Sequence, residues 1–160
     1  MDSHIHTAAM TAAALALIVI GAASMAMQAQ AEERFFTVTA IEPKGGVTID
    51  QEPFPGRSLP EGGGYVIKEP DGNGRWEVSA YVWAPAQIVV DQGDEVTLEF
   101  VGINGASHPT TIKGLGQSFD LKRGTATRVS FVAGEPGVFP IECDTHRPSM
   151  RAEIVVLPRS

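Results

Sequence analysis

Cysteine and histidine are scarce in this sequence. The chain has one cysteine, Cys143, and therefore no partner for an internal disulfide bond. A lone cysteine acts as a free thiol, a bridge to another chain or a metal ligand. Histidine occurs at four positions, and two of these, His4 and His6, lie close to the N-terminus. The body of the chain thus has His108 and His146 as its imidazoles.

Positive charge is also in short supply. The sequence has 12 basic against 19 acidic residues, a formal net charge of −7. An acidic surface argues against nucleic acid and against anionic lipid as binding partners. It is compatible with docking to a basic patch on another protein.

The N-terminus lacks the usual positive flank of an export signal, because Met1 to Met10 contains Asp2 and no lysine or arginine. Nevertheless, Thr7 to Met27 is almost wholly apolar, and Ala29 to Ala31 has the small-x-small pattern of a signal-peptidase site. We predict that residues 1–31 form a cleaved export signal. The alternative is a retained membrane anchor, since an apolar run of this length also spans a bilayer. The rest of the chain is predicted to be periplasmic or otherwise extracytoplasmic, at a membrane only if this segment stays uncleaved.

Residues 32–75 are predicted to form an irregular N-terminal extension. The stretch from Arg34 to Ile41 has the β-branched and aromatic residues of a strand. After it, Pro43 to Gly74 is broken by frequent glycine and proline, so only short strands such as Val47 to Ile49 and Tyr65 to Ile67 fit between the turns. This pattern predicts at most a hairpin and no separate functional domain.

Helical periodicity is missing beyond the leader. From residue 76 onward, apolar residues alternate or run together in short segments such as Val96 to Phe100, and glycine-rich turns separate these segments. The pattern predicts an all-β Greek-key sandwich for residues 76–160. Within it, Pro140 must lie at a bulge or a sheet edge, where no neighbouring strand needs its missing N–H.

Chemically distinctive side chains concentrate in the last predicted loop. Cys143, His146 and Met150 lie close together between two predicted strands. Thiolate, imidazole and thioether are soft ligands that suit copper. His108 follows a strand that ends near Val101, and we predict it on a neighbouring loop at the same end of the sandwich. The four residues match the ligand set of a mononuclear copper site with a weak axial methionine. The alternative is that Cys143 and Met150 are ordinary buried apolar side chains.

The segment from Glu135 to Val156 resembles the cupredoxin ligand loop, in which a Pro-Gly turn and a strand lead to Cys-x2-His and a following methionine. It is most similar to amicyanin, plastocyanin and pseudoazurin. Upstream, Ile88 to Val96 is similar to the segment that precedes the first histidine in nitrosocyanin and in the soluble domain of cytochrome oxidase subunit II. The likeness covers about Trp76 to Pro158. It implies a cupredoxin-like fold, one copper ion that cycles between Cu(I) and Cu(II), and His146 as the more exposed ligand through which electrons pass.

Two features depart from that family. Pro109 follows the first histidine, where small blue copper proteins usually have an asparagine that ties the two ligand loops together. Proline offers neither that side chain nor a backbone N–H, so Asp144 is the candidate for the missing cross-loop hydrogen bond. The spacing from His146 to Met150 falls between the amicyanin and plastocyanin patterns, which leaves a water or a carbonyl as an alternative axial ligand.

The ligand set and the resemblance predict an exported electron shuttle that is not an enzyme. Its expected partners are redox proteins such as a c-type cytochrome or a membrane oxidase. A binuclear CuA site would need a second cysteine, and the thioether favours copper over zinc. No acid–base pair or nucleophile arrangement is recognisable near the loops. The alternative function is a periplasmic copper-binding or copper-tolerance protein without electron transfer, and a sandwich without metal would tolerate the loss of Cys143.

Overall fold

The computed structural model describes residues 30–159, and in that range the chain forms β-strands and no helix. The strands are β1 (Glu33–Ile41), β2 (Lys44–Thr48), β3 (Tyr65–Lys68), β4 (Arg75–Ala80), β5 (Val82–Ala84), β6 (Gln87–Asp91), β7 (Glu95–Gly102), β8 (Ser107–Ile112), β9 (Gln117–Lys122), β10 (Ala126–Val132), β11 (Gly137–Cys143) and β12 (Arg151–Leu157). Within this range no helix is long and apolar enough to cross a membrane. The predicted export signal, residues 1–31, lies almost wholly outside the described residues.

The strands form three sheets. Sheet I has the order β10-β7-β1-β5, sheet II the order β6-β12-β11-β8-β9, and sheet III the order β2-β4-β3. Pairing is antiparallel except between β1 and β7 and between β12 and β6. Apolar residues of sheets I and II form one buried cluster, so these two sheets pack face to face as a sandwich. The all-β sandwich that the sequence predicts is confirmed.

The core follows directly from alternation along the strands. In β7 the side chains of Val96, Leu98 and Phe100 are buried, while the residues between them are less so. Trp83 of β5 packs edge-on against Phe100 with ring centroids 5.4 Å apart. Each such buried side chain stabilises the fold by roughly 1.5–3 kcal/mol relative to an exposed position. Because the ring of Trp83 also lies 6.1 Å from that of His108, the core reaches directly to the candidate site.

The predicted extension, residues 32–75, needs correction in its first part. Strand β1 (Glu33–Ile41) lies between β7 and β5 in sheet I, and Val38 and Ala40 are fully buried. Its parallel partner β7 begins at Glu95, far along the chain from β1, and no local sequence pattern predicts that the two strands pair. The remainder contributes two strands to sheet III: β3 agrees with the predicted strand from Tyr65 to Ile67, and β2 overlaps the predicted strand from Val47 to Ile49 only at Val47 and Thr48. Sheet III also includes β4, so the sandwich does not begin at residue 76.

The predicted loop position of His108 is wrong, because His108 is the second residue of strand β8. Strand β8 alternates between buried and partly exposed residues, but its buried positions include His108 and Thr110. Because two residues on the inner face of β8 are polar, hydrophobicity along the sequence does not reveal that the strand alternates between buried and partly exposed positions. The sequence pattern therefore predicts neither β8 nor its partner strand β9. The predicted position of Pro140 at a bulge or a sheet edge is wrong, because Pro140 lies in β11, an inner strand of sheet II whose register with β12 is unbroken. Its missing N–H is tolerated because β11 pairs with β8 only from Ile141 onward.

Candidate metal centre

Three of the four predicted ligands converge. The Nδ1 atoms of His108 and His146 are 3.2 Å apart. The Sγ atom of Cys143 lies 3.4 Å from Nδ1 of His146 and 4.0 Å from Nδ1 of His108. Each residue offers a ligand atom, and these atoms lie within 4.8 Å of one another.

These separations fit a metal ion held between the three atoms. Bonds of about 2.0 Å to nitrogen and 2.3 Å to sulfur, at tetrahedral to trigonal angles, separate two nitrogens by about 3.3–3.5 Å and nitrogen from sulfur by about 3.5–3.7 Å. The observed distances agree within a few tenths of an ångström. Two imidazoles and a thiolate form a donor set that suits copper and zinc, and the soft thiolate excludes the hard-oxygen metals.

The sandwich itself sets the position of His108 and Cys143. Cys143 is the last residue of β11 and is aligned with Thr110 of β8, which lies next but one to His108. The hydroxyl of Thr110 donates to the carbonyl of His108 at 2.7 Å. Both candidate ligands are fully buried. Their relative placement is therefore determined by strand pairing inside a packed core.

The proton on His108 is placed by its backbone partner. Its Nε2 atom lies 2.8 Å from the carbonyl oxygen of Asn104, which can only accept, so Nε2 carries the proton and Nδ1 presents a lone pair to the site. Asn104 is held in turn by Glu42, whose N–H donates to Oδ1 of Asn104 at 2.8 Å. Gly105 allows this close approach, since it has φ of +84° and a Cβ there would lie 2.6 Å from Cε1 of His108.

His146 is half-buried and is the most exposed of the four predicted ligands, as the resemblance implies. Its ring stacks on that of Tyr81, with centroids 3.9 Å apart and an interplanar angle of 27°. Burial, and secondarily the repulsion that would arise between two protonated imidazoles at His108 and His146, lower the pKa of His146, so this imidazole is neutral and able to bind metal at neutral pH. The hydroxyl of Tyr81 is hydrogen-bonded to Glu42, which thus supports both imidazoles through their neighbours.

Burial raises the pKa of the Cys143 thiol, although the N–H groups of Thr145 and His146 act in the opposite direction. Without a cation the thiol is therefore protonated at neutral pH. A bound metal would displace this proton, and the two N–H groups would then donate to the thiolate.

Met150 lies against the same loop. It is almost fully buried, its N–H donates to the carbonyl of His146 at 3.0 Å, and its own carbonyl accepts from the N–H of Cys143 at 3.2 Å. These bonds close the ligand loop on itself. The thioether as an axial ligand stays a prediction.

The cross-loop connection exists, but it does not use the predicted side chain. The backbone N–H of Asp144 donates to the carbonyl of Pro109 at 2.9 Å. The carboxylate of Asp144 is instead paired with Arg147. A main-chain bond thus ties β8 to the ligand loop, where the family usually has an asparagine.

Sequence reasoning missed Tyr81, Asn104 and Gly105, which surround the two imidazoles. Asn104 and Gly105 are typical turn residues, so their sequence pattern indicates a turn and gives no sign of a role beside a metal site. No local pattern marks Tyr81, because its partner His146 is distant along the chain.

No protein-family model and no curated protein matches the chain at the sequence level. Similar folds occur among solved structures. One is a Cu-containing nitrite reductase from Thermus scotoductus SA-01, with 21% identity and a TM-score of 0.52 over 81% of this chain and 28% of that chain. Another is a multicopper oxidase, with 12% identity and a TM-score of 0.52 over 79% of this chain and 42% of that chain.

The chain spans less than half the length of either protein. At such low identity the likeness concerns the fold alone, and both proteins are built from cupredoxin domains. Together with the strand order and the inward-facing histidine and cysteine side chains, it establishes that this chain has the cupredoxin fold.

Proposed function

We propose that the protein is a mononuclear copper electron carrier. The observation that carries the proposal is the convergence of His108, Cys143 and His146, with nitrogen and sulfur atoms 3.2–4.0 Å apart, on paired strands and one closed loop. His108, Cys143 and His146 would hold the ion, and Met150 is the proposed axial ligand. A copper ion bound there would supply one-electron exchange between Cu(I) and Cu(II).

The protein's own part in this chemistry is to keep the ligands still. Copper(II) and copper(I) prefer different coordination geometries, and a ligand set held between them loses little energy when the charge changes. The pairing of β8 with β11 holds His108 and Cys143, and the carbonyl of Asn104 holds the His108 ring. Such an arrangement favours rapid electron exchange over strong binding of one oxidation state.

Burial supports a carrier rather than an enzyme. His108 and Cys143 have no exposed surface and Met150 has 1%, so a substrate would reach the ion only past the half-buried His146. An electron, by contrast, needs no open coordination position. We place its route through His146 and the stacked Tyr81 ring.

We further propose that the protein acts outside the cytoplasm, as the apolar N-terminal segment suggests. Its partner would be a c-type cytochrome or a membrane oxidase with a basic docking patch. The formal net charge of −7 supports this choice, because opposite charge accelerates encounter between redox proteins.

The proposal is tested by loading the full chain with one equivalent of Cu(II) and recording optical and EPR spectra beside Cys143→Ser and His6→Ala variants. We expect an intense visible thiolate-to-copper band that ascorbate removes reversibly, that is lost in Cys143→Ser and that is unchanged in His6→Ala. An ordinary tetragonal copper spectrum that survives in Cys143→Ser would contradict the ligand assignment.

Electron transfer itself needs a second measurement. The reduced, copper-loaded protein is mixed with an oxidised c-type cytochrome in a stopped-flow instrument, and the cytochrome spectrum is followed. We expect rapid reduction that slows as ionic strength rises. A protein with the thiolate band but without electron exchange would be a copper-binding protein of the tolerance type.

A further inference from the structure

We propose that residues 62–64, three consecutive glycines here called the glycine strap, are a positioning element for His146. The strap comes from the segment before sheet III and lies against the ligand loop between Thr145 and Ser149. The inference deepens the proposed function, since it concerns how that same site is held. The sequence alone indicates only a flexible turn at these glycines.

The strap forms hydrogen bonds with the ligand loop at Arg147 and Ser149, and also with Tyr81, whose ring stacks on that of His146. Gly63 forms a parallel bridge with Arg147, and the N–H of Gly64 donates to the carbonyl of Arg147 at 2.9 Å. The carbonyl of Gly64 accepts from the hydroxyl of Ser149 at 2.7 Å and from the N–H of Tyr81 at 2.9 Å. One glycine thus joins the loop that carries His146 to the residue whose ring stacks on it.

The close approach demands glycine at each of the three positions. A Cβ at Gly64 would lie 2.5 Å from the carbonyl oxygen of His146 and 2.5 Å from Oγ of Ser149. At Gly62 it would lie 2.6 Å from the carbonyl oxygen of Arg147, and at Gly63 it would lie 2.9 Å from that of Thr145. These atoms are mostly backbone, so they cannot move aside as a flexible side chain would.

Backbone dihedral angles show which of the three glycines is required by the turn and which by the contact with the ligand loop. Gly62 and Gly63 have φ of +120° and +76°, which glycine adopts readily, so the chain reversal alone would account for them. Gly64 has no positive φ. Its need for glycine comes entirely from contact with the ligand loop.

The strap and the ligand loop meet at the carbonyl group of His146. Inside the loop, Met150 donates to the carbonyl of His146. The strap lies close to the same carbonyl oxygen, since a Cβ at Gly64 would be 2.5 Å from it. Strand β3 begins at Tyr65, directly after the strap, and its partner β4 leads into Tyr81, so sheet III holds both contacts in register.

The test compares Gly64→Ala with Gly56→Ala, a matched substitution at an exposed glycine whose added Cβ meets nothing within 4 Å. The first measurement is made without metal, as an NMR spectrum of the full chain. Stacking on Tyr81 shifts the His146 ring protons upfield. We expect Gly64→Ala to lose this upfield shift and Gly56→Ala to keep it.

The second measurement uses the copper-loaded proteins. We expect Gly64→Ala to change the copper hyperfine splitting and the reduction potential, and Gly56→Ala to change neither. The hydroxyl of Ser149 lies 2.7 Å from the carbonyl oxygens of both Gly64 and Tyr81, so Ser149→Ala loosens the junction of strap, loop and stacked ring without a steric clash, and it should reduce the upfield shift partially.

Unchanged His146 ring signals in a folded Gly64→Ala protein would overturn the inference. If Gly64→Ala does not fold, Ser149→Ala decides, and an unaltered ring shift there overturns it equally. The metal-free measurement is independent of copper chemistry. A wild-type protein without a thiolate-to-copper band would refute the proposed function, whereas the strap inference would still be decided by the metal-free NMR comparison.

Discussion

The two ring nitrogens of His108 have separate tasks. Nε2 donates to the backbone of Asn104, and Nδ1 faces Cys143 and His146. In a buried imidazole this division matters, because a wrongly placed proton would occupy the position that a metal needs. The orientation of the site thus depends on a loop residue that acts through its backbone carbonyl and not through its side chain.

We expect Asn104→Ala to destabilise the protein by about 1–3 kcal/mol, the usual cost of leaving buried polar groups without their partners. The change removes the amide that accepts from the N–H of Glu42 at 2.8 Å and donates to its carboxylate at 3.2 Å. Urea unfolding of the metal-free chain measures the effect. Asn73→Ala, at an exposed turn, serves as the control and should cost less than about 0.5 kcal/mol. Equal midpoints for the two variants would show that Asn104 does not stabilise the segment that leads into β8 and His108.

At the residue scale the sequence identifies the candidate ligands better than the residues that support them. Cys143, His146 and His108 are recognisable because each carries a chemically distinctive side chain in a chain with few of them. Their supports act through backbone atoms: the carbonyls of Asn104 and Pro109, and the N–H and carbonyl of Gly64. Since every residue has such groups, no side-chain pattern distinguishes the ones that matter.

Among the elements, β1 decides where the sandwich begins. It is paired on both sides, with β7 and β5, and its inner face carries Val38 without exposed surface. A strand in this position connects β7 to β5 within sheet I. It is therefore an integral part of the sandwich and not a separate extension.

Val38→Ala should therefore cost about 2 kcal/mol of unfolding free energy, from lost apolar burial and the cavity left behind. Val132→Ala is the matched control, since Val132 lies in the same sheet but is 60% exposed. Chemical denaturation of both variants gives the comparison. A Val38→Ala protein as stable as the control would mean that residues 33–41 are a separate extension after all.

Strand β8 shows why some elements escape sequence reading. Its inner positions include a histidine and a threonine, which a site requires but a hydrophobic core usually avoids. Burial alternates from one residue to the next along β8, but hydrophobicity does not follow this alternation. Strands whose inner face carries polar residues are for this reason harder to recognise than strands whose inner face is hydrophobic.

Over the whole molecule, Asp94 connects the two ends of the described chain. Its fully buried carboxylate accepts from the N–H of Glu32 at 3.1 Å, from Arg34 at 3.2 Å and from Arg159 at 2.7 Å. Burial alone would raise the pKa of Asp94. Hydrogen bonds from the backbone and from the two arginines outweigh burial and lower the pKa to about 2.

This shift predicts acid sensitivity. The folded pKa lies below the ordinary value of 3.8, so the native state binds fewer protons than the unfolded state, and stability is lost as pH falls. The contribution is complete above about pH 4 and disappears towards about pH 2, with an amplitude of roughly 2 kcal/mol. Urea unfolding between neutral pH and about pH 2 measures it.

Asp94→Asn removes the titrating group and should flatten this part of the profile. The variant should also be less stable at neutral pH, where its amide faces two guanidinium groups. Parallel pH profiles for wild type and variant would place the acid sensitivity in other carboxyl groups.

The sequence by itself determined the fold class and the identity of the candidate ligands. Alternating apolar residues and glycine turns dictate short strands locally, and a lone cysteine beside histidine and methionine is chemically distinctive without any structure. The tertiary structure alone decided that β1 enters the sandwich, that Asp144 ties the loops through its backbone and that the glycine strap bonds to the loop that carries His146. These outcomes depend on hydrogen bonds between segments far apart in the chain, and such bonds form only once the sheets have brought the segments together.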